Sequence, residues 1–269
     1  MGQTYYAEGA YNESARIIER AVAVFERQPA TTAGASEGGA AAYVYLGWLY
    51  HIPLDAPEKA LARYTRALEL DPEYVHVYAN RGALYGAMGD YPAAMADYTQ
   101  ALELDPQYAW VYMNRGGTYY QMGEYAAALD DYNRALELEP GFALAYHDRG
   151  ATYAALGNDE AALADFTRAL ELGLEEATTY YNRGGTYYAL ADYDAALKDY
   201  RRVLELAPGS AEMYYYGAIA HAHLGDTSEA CAWLEAALSL APDWQDDART
   251  DPDFDPIRDD PCFQALVQE

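Results

Sequence analysis

Asparagine, arginine and aspartate recur in this chain at fixed intervals, and these residue types can hold main chain, carboxylates or one another. Arg81, Arg115, Arg149 and Arg183 stand 34 residues apart, and Asp97, Asp131, Asp165 and Asp199 follow them by 16. The segments on either side lack both, with Leu46 and Arg63 in one and Gly217 and Ala232 in the other. Presence together and absence together point to structural ion pairs, each Arg with its own Asp. A carboxylate-binding role for the arginines is the competing reading. Just before each arginine stands Asn80, Asn114, Asp148 or Asn182. Asparagine is a poor helix former, and its amide offers a donor and an acceptor, which an extended peptide main chain requires. Local capping or a solvent-facing position is the alternative at each of them.

Other chemistry is thinly represented. His221 and His223 are two apart in a helical pattern, so they face different ways; a zinc-binding helix spaces its histidines by four. His51, His76 and His147 belong to separate segments, and Asp130-Asp131 and Asp246-Asp247 have the look of solvated faces. No nucleophile–base pair, phosphate loop or ligand spacing for a metal is visible, so no catalytic residue, metal or cofactor is expected. Cys231 and Cys262 have neither metal nor redox spacing, and two free thiols in a reducing compartment are expected.

The elements that must position these residues repeat with the same period. Residues 109–140, AWVYMNRGGTYYQMGEYAAALDDYNRALELEP, recur 34 residues earlier and at Ala143, Ala177 and Ala211. Tyr112, Gly116, Tyr119 and Met122 fall on one face of a first helix, and Gly123-Glu124-Tyr125 breaks it. Ala128, Leu129, Tyr132, Ala135, Leu136 and Leu138 form the buried face of a second helix, stopped by Glu139-Pro140. Gly116 is expected to face Ala128 and Ala135, small residue against small residue. Through Tyr112, Gly116, Tyr119, Gly123, Tyr125, Ala128, Tyr132, Ala135 and Pro140 the unit resembles the tetratricopeptide repeat (TPR) family.

That resemblance implies an all-α fold: a right-handed α-solenoid, or superhelix, of antiparallel helix pairs. It also implies that the asparagine row faces a concave groove. Some family members, the protein O-linked N-acetylglucosamine transferases among them, hold peptide main chain with a similar ladder, here with one rung changed to Asp148. The first helices, 75–88, 109–122, 143–156, 177–190 and 211–224, contain acids only at Asp148 and Glu212 against four arginines. Trp110, Tyr120, Tyr181, Tyr188 and Tyr215 are the aromatic groove residues expected to cover the same ligand as Asn80, Asn114, Asp148 and Asn182.

Taken in order, residues 1–39 read as a truncated hairpin plus a flexible linker, Gln28–Gly39, and the chain as the tail of a longer array. Six tandem repeats follow at 40–74, 75–108, 109–142, 143–176, 177–210 and 211–244. Residues 245–269 read as a native C-terminal cap, with Trp244, Phe254, Ile257, Phe263 and Leu266 covering the last apolar face. A formal charge of -26 argues against nucleic acid and anionic membrane surfaces. Neither a signal peptide nor a membrane-spanning run is visible, so a cytoplasmic location is expected. The functional expectation is a non-enzymatic protein–protein interaction scaffold that binds an extended peptide, with a protein or peptide partner and an open question of homo-oligomerisation. The alternative is a regulatory or sensor module of a larger enzyme or transcription regulator. A receptor for acidic chaperone tails is disfavoured, because no lysine lies on these first helices.

Overall fold

The computed structural model describes residues 2–25, 33–52 and 54–268. Among them there is no strand, and the chain forms two compact units, residues 1–140 and 141–269. The fold is an all-α solenoid of antiparallel helix pairs.

In the first unit, α1 (Gly2–Phe25) precedes three pairs: α2 (Ala33–His51) with α3 (Pro57–Leu70), α4 (Val75–Ala87) with α5 (Tyr91–Leu104), and α6 (Ala109–Gln121) with α7 (Tyr125–Leu138). Helix α1 is continuous, so the truncated hairpin expected before residue 28 is not formed. A glycine inside a helix costs only about 1 kcal/mol. Gly9, where the turn is expected, is therefore no bar to a continuous helix. The expected linker is also shorter: residues 33–39 belong to α2, and its remainder, 28–32, lies outside the described residues.

The second unit contains α8 (Ala143–Ala155) with α9 (Asp159–Glu171), α10 (Ala177–Ala189) with α11 (Tyr193–Leu206), and α12 (Ala211–Leu224) with α13 (Thr227–Leu240). After them come a short 3-10 turn at Pro242–Trp244, α14 (Gln245–Thr250), a second 3-10 segment at Pro252–Ile257 and α15 (Pro261–Val267). Phe254, Ile257 and Phe263 are buried against Ala218, Ala222, Ala230 and Leu234.

Local chemistry explains the boundaries. Asp90, Asn158 and Asp192 accept the backbone N–H groups of Ala93, Ala161 and Ala195 and so cap α5, α9 and α11. Asp71, Asp105 and Glu139 are extended, as residues ahead of proline must be, and end α3, α5 and α7. Where Leu174 replaces that proline, Gly173 takes φ +93° and Leu174 N–H donates to the Ala169 carbonyl, which ends α9 by a different route. Ala191 fills the turn position of glycine at φ 58°, a conformation an L-side chain adopts with strain.

Inside each pair, glycine meets an aromatic ring. A Cβ added at Gly116 would lie 2.8 Å from Cε1 of Tyr132, and one at Gly184 would lie 2.8 Å from Cε1 of Tyr200. The same contact joins Gly47 to Tyr64, Gly82 to Tyr98 and Gly150 to Phe166, and all five rings are at most 2% exposed. Gly116 therefore accommodates an aromatic ring and not the pair of alanines expected. The ring lies flat where the first helix has no side chain, which brings the two backbones together.

The neighbouring glycine behaves differently, since a Cβ at Gly185 would meet nothing within 4 Å. Gly184→Ala should thus destabilise the chain by about 1–3 kcal/mol through overpacking. Gly185→Ala, one residue away, should stabilise it by roughly 0.5–1 kcal/mol through helix propensity. Denaturant melts of the two variants should move in opposite directions.

Candidate functional site

Each first helix of the four central pairs turns one side toward its second helix and leaves the other side to carry the asparagine row. The arginine beside each asparagine belongs to the packed side. Arg115 donates from Nε and Nη2 to the two carboxylate oxygens of Asp131, both at 2.7 Å. The same two-point contact joins Arg81 to Asp97, Arg149 to Asp165 and Arg183 to Asp199. Only 5–8% of each aspartate side chain is exposed. Tyrosines lie against the guanidinium planes, Tyr78 and Tyr85 at Arg81 and Tyr180 and Tyr187 at Arg183. Arg81 and Arg183 also reach Thr65 and Thr167 on the preceding second helices. These pairs tie helix to helix and repeat to repeat.

The last pair replaces the ion pair by another fit. A Cβ at Gly217 would lie 2.1 Å from the Trp233 ring, so Trp233, and not Ala232, fills the place of the aspartate. Next to it Arg201 contacts Nε2 of the buried His221 at 3.4 Å.

On the first-helix face of the first unit, Asn80 and Asn114 are half-buried, and among the described residues no hydrogen bond engages either amide. Trp110 is exposed four residues before Asn114, and Tyr120 is exposed with its ring 5.4 Å from Tyr125. Gly117 lies between Asn114 and Tyr120. A Cβ there would only touch the Tyr132 hydroxyl at 3.7 Å, so packing does not require glycine.

The corresponding face of the second unit is more elaborate. Asp148 is half-buried, and burial, with the charge of Glu176 as a smaller cause, pushes its carboxyl up to about 7. Beside it, His147 Nδ1 lies 3.0 Å from Thr179 Oγ1, and Nε2 lies 3.5 Å from Asn182 Nδ2. Burial lowers the His147 pKa, which keeps the ring neutral. An amide nitrogen only donates, so Nε2 accepts and Nδ1 carries the proton toward Thr179. Asn182 is thus held by a neighbour, unlike Asn80 and Asn114.

Three of the aromatics expected to meet a ligand donate their hydroxyls within the chain. Tyr181 donates to Glu212 at 3.0 Å, Tyr188 to Asp253 at 2.7 Å and Tyr215 to Asp251 at 2.9 Å. Burial first, and those carboxylates second, raise all three phenols, Tyr181 to about 12. The period marks such positions but is silent on what the non-repeating tail brings to them. Gly117 and Gly185, which were not among the expected groove residues, stand out in the sequence as a mid-helix glycine doubled beside the packing one.

Cys231 and Cys262 form a disulfide, which overturns the expectation of free thiols. Helix α15 folds back onto α13 and brings their Cα atoms to 6.2 Å across a sequence separation of 31. Asp260 lies close enough to complete a three-ligand cluster with the two sulfurs. The sulfurs are bonded to each other, however, and Asp260 accepts the Cys262 N–H as the cap of α15. Among the described residues, no helix is long and apolar enough to cross a membrane.

Comparison with known proteins follows the same repeat boundaries. TPR repeat models match residues 58–89 and 87–123, tetratricopeptide repeat models match 109–142 and 177–210, and a further tetratricopeptide model matches 143–172 and 211–243. No curated protein matches at a significant level. Among solved structures, YrrB, described as a TPR protein with an unusual peptide-binding site, is 27% identical, with 67% of this chain and 93% of that one covered at a TM-score of 0.58. The MamA protein is 24% identical over 65% of this chain and 96% of its own, with a TM-score of 0.58. Pseudomonas aeruginosa pilF is 21% identical over 77% and 94%, with a TM-score of 0.69. The last two likenesses concern the fold alone. With repeat models covering most of the sequence from residue 58 to residue 243, and helix pairs of the same register, the chain belongs to the tetratricopeptide repeat family, whose repeats form protein-interaction scaffolds.

Proposed function

We propose that this chain is a non-enzymatic scaffold that holds extended peptide main chain on its first-helix faces. Asn80 and Asn114 serve as rungs in one unit, and Asp148 and Asn182 in the other. The observation that carries the reading is the identical stretch NRGGTYY at 114–120 and 182–188, whose second glycine answers to no packing need. A mid-helix glycine costs about 1 kcal/mol relative to alanine. At Gly117 and Gly185 that cost leaves bare helix surface beside an asparagine, where a flat peptide group can lie close. The likeness to YrrB, itself described as having a peptide-binding site, supports the same reading.

Asp148 fits this scheme chemically. A carboxyl that keeps its proton up to about pH 7 presents one O–H donor and one carbonyl acceptor, the same pair that an asparagine amide offers. The four Arg–Asp contacts engage the arginines of these helices, so the rungs stand on a face without a free guanidinium among those four. Recognition there runs through neutral polar groups.

The first test uses a capped decapeptide selected from a random display library against the wild-type chain. Asn80→Ala and Asn114→Ala together should weaken its binding about tenfold or more, equivalent to roughly 1.4 kcal/mol. The fold should keep or gain stability, because alanine is the better helix former. Asn182→Ala should weaken binding further with a small stability loss through its His147 contact. Affinity should change little with salt; an affinity that collapses in salt and ignores the asparagine changes would move the function to the acidic exterior.

The second test concerns Asp148 alone. The folded chain holds this proton up to about 7, whereas an ordinary aspartate releases it near 3.8. Between those values the folded state binds the proton more strongly, so stability falls as pH rises, and the full penalty is present above 7. Asp148→Asn should therefore match the wild type near the acid end of that window. At alkaline pH it should exceed the wild type by roughly 4 kcal/mol. A difference independent of pH in paired melts would refute the assignment.

A further inference from the structure

The 3-10 segment Pro252–Ile257 and its cap Asp251 do more than cover the end of the last repeat. The core of the cap is Phe254, Ile257 and Phe263, all buried, with Phe254 edge-on to Tyr215 at 5.4 Å. Two carboxylates of the same segment reach beyond that core onto the first-helix face. Asp251 Oδ2 accepts from Tyr215 on α12, and Asp253 Oδ2 accepts from Tyr188 on α10, a residue 65 positions earlier in the chain. Asp253 Oδ1 also lies 3.8 Å from Nε2 of His223, whose ring stacks on Tyr193 at 4.7 Å.

Tyr188 follows Gly185 by three residues, as Gly185 follows Asn182, so a ridge of three-residue steps runs from the rung past the bare glycine to this tyrosine. A cap needs apolar cover for α12 and α13, but it has no need of a hydrogen bond to α10. We propose that the Asp251 and Asp253 carboxylates are a built-in competitor, occupying the Tyr188–Tyr215 end of this face so that a bound peptide gains that end only by displacing them. This inference rests on the peptide reading above and deepens it. The competitor's chemistry, aspartates flanking an aromatic residue, also names what the two hydroxyls accept: an acidic segment whose carboxylates take the phenol protons in hydrogen bonds. Phe254, Ile257 and the Cys231–Cys262 disulfide hold the rest of the cap in place, so the displacement is only that of Asp251 and Asp253 from the two tyrosines. Because the two carboxylates are tethered, they compete at a high effective concentration, and weakening their grip shifts the balance without any change to the ligand contacts.

The experiment compares the full wild-type chain with Asp251→Ala/Asp253→Ala, which keeps Phe254, Ile257, Phe263 and the disulfide. The first measurement needs no ligand: nitration by tetranitromethane, read residue by residue by mass spectrometry, with exposed Tyr120 as reference. Tyr188 and Tyr215 should react slowly in the wild type and approach Tyr120 in the variant. Equal rates in the wild type would overturn the proposal. The second measurement is binding of the selected capped decapeptide, which should tighten about tenfold in the variant. If affinity stays the same while the asparagine variant still loses binding, the competitor idea falls and the peptide reading survives. If the peptide ignores both sets of changes, the peptide reading falls with it. Should the double alanine variant unfold, Tyr188→Phe/Tyr215→Phe removes the same hydrogen bonds from the other side. Hydrogen exchange at Asp253 must then quicken, and unchanged protection would also overturn the proposal.

Discussion

The approach of a first helix to its second depends on one contact, an aromatic ring lying against a glycine. Removing any of these rings would cost about 3–5 kcal/mol. The ring position also fixes what surrounds it. Two helices drawn this close leave no room for water between Arg115 and Asp131, which explains why the guanidinium must meet both carboxylate oxygens at once. A buried carboxylate without that partner would be strongly unfavourable, so arginine and aspartate are present together or absent together. The last pair shows the same constraint solved otherwise. With Leu234 in place of the ring, Ala218 fits where glycine was needed, and Trp233 folds over Gly217 where the ion pair would have been.

That constraint divides the chemistry of each first helix. The side facing the second helix takes the glycine, the arginine and its flanking tyrosines. The opposite side keeps Asn80, Asn114, Asp148 and Asn182, with Gly117 and Gly185 beside two of them. Two adjacent glycines, Gly184 and Gly185, therefore answer to different demands: one admits a ring from within the repeat, and the other meets nothing. The identity of neighbouring residues in the sequence conceals a difference that only the packing separates.

What could be read from the residues follows from how far each interaction reaches. Helix pairs, turns and Arg–Asp partners depend on contacts inside one repeat or between neighbours, and the period reports them in several copies. The hairpin expected before residue 28 fails because similarity to the turn at Gly123 cannot say whether Gly9 ends a helix or lies within one. The disulfide was invisible for a related reason. Cys231 lies in a repeat and Cys262 in a tail that repeats nothing, so no spacing rule applies, and their meeting depends on how α15 folds back. Tyr188 and Tyr215 have repeat positions that suit ligand contact, yet their partners, Asp253 and Asp251, come from that same tail.

Acidity acts at a longer range than any of these contacts. A formal charge of -26 on a chain of 269 residues makes its exterior repel other acids. The first-helix faces escape that rule because their arginines and aspartates neutralise each other in pairs and because burial keeps the proton on Asp148. At the end of the second unit, the chain's own tail brings two carboxylates to that face, where Tyr188 and Tyr215 receive them through neutral hydroxyls. A ligand carrying one or two acids could be held in the same way, whereas a strongly acidic one would be turned away by the exterior before it arrived. On the proposed peptide reading, selectivity on this face is set less by a countercharge than by the balance between local hydroxyl donors and a repulsive field.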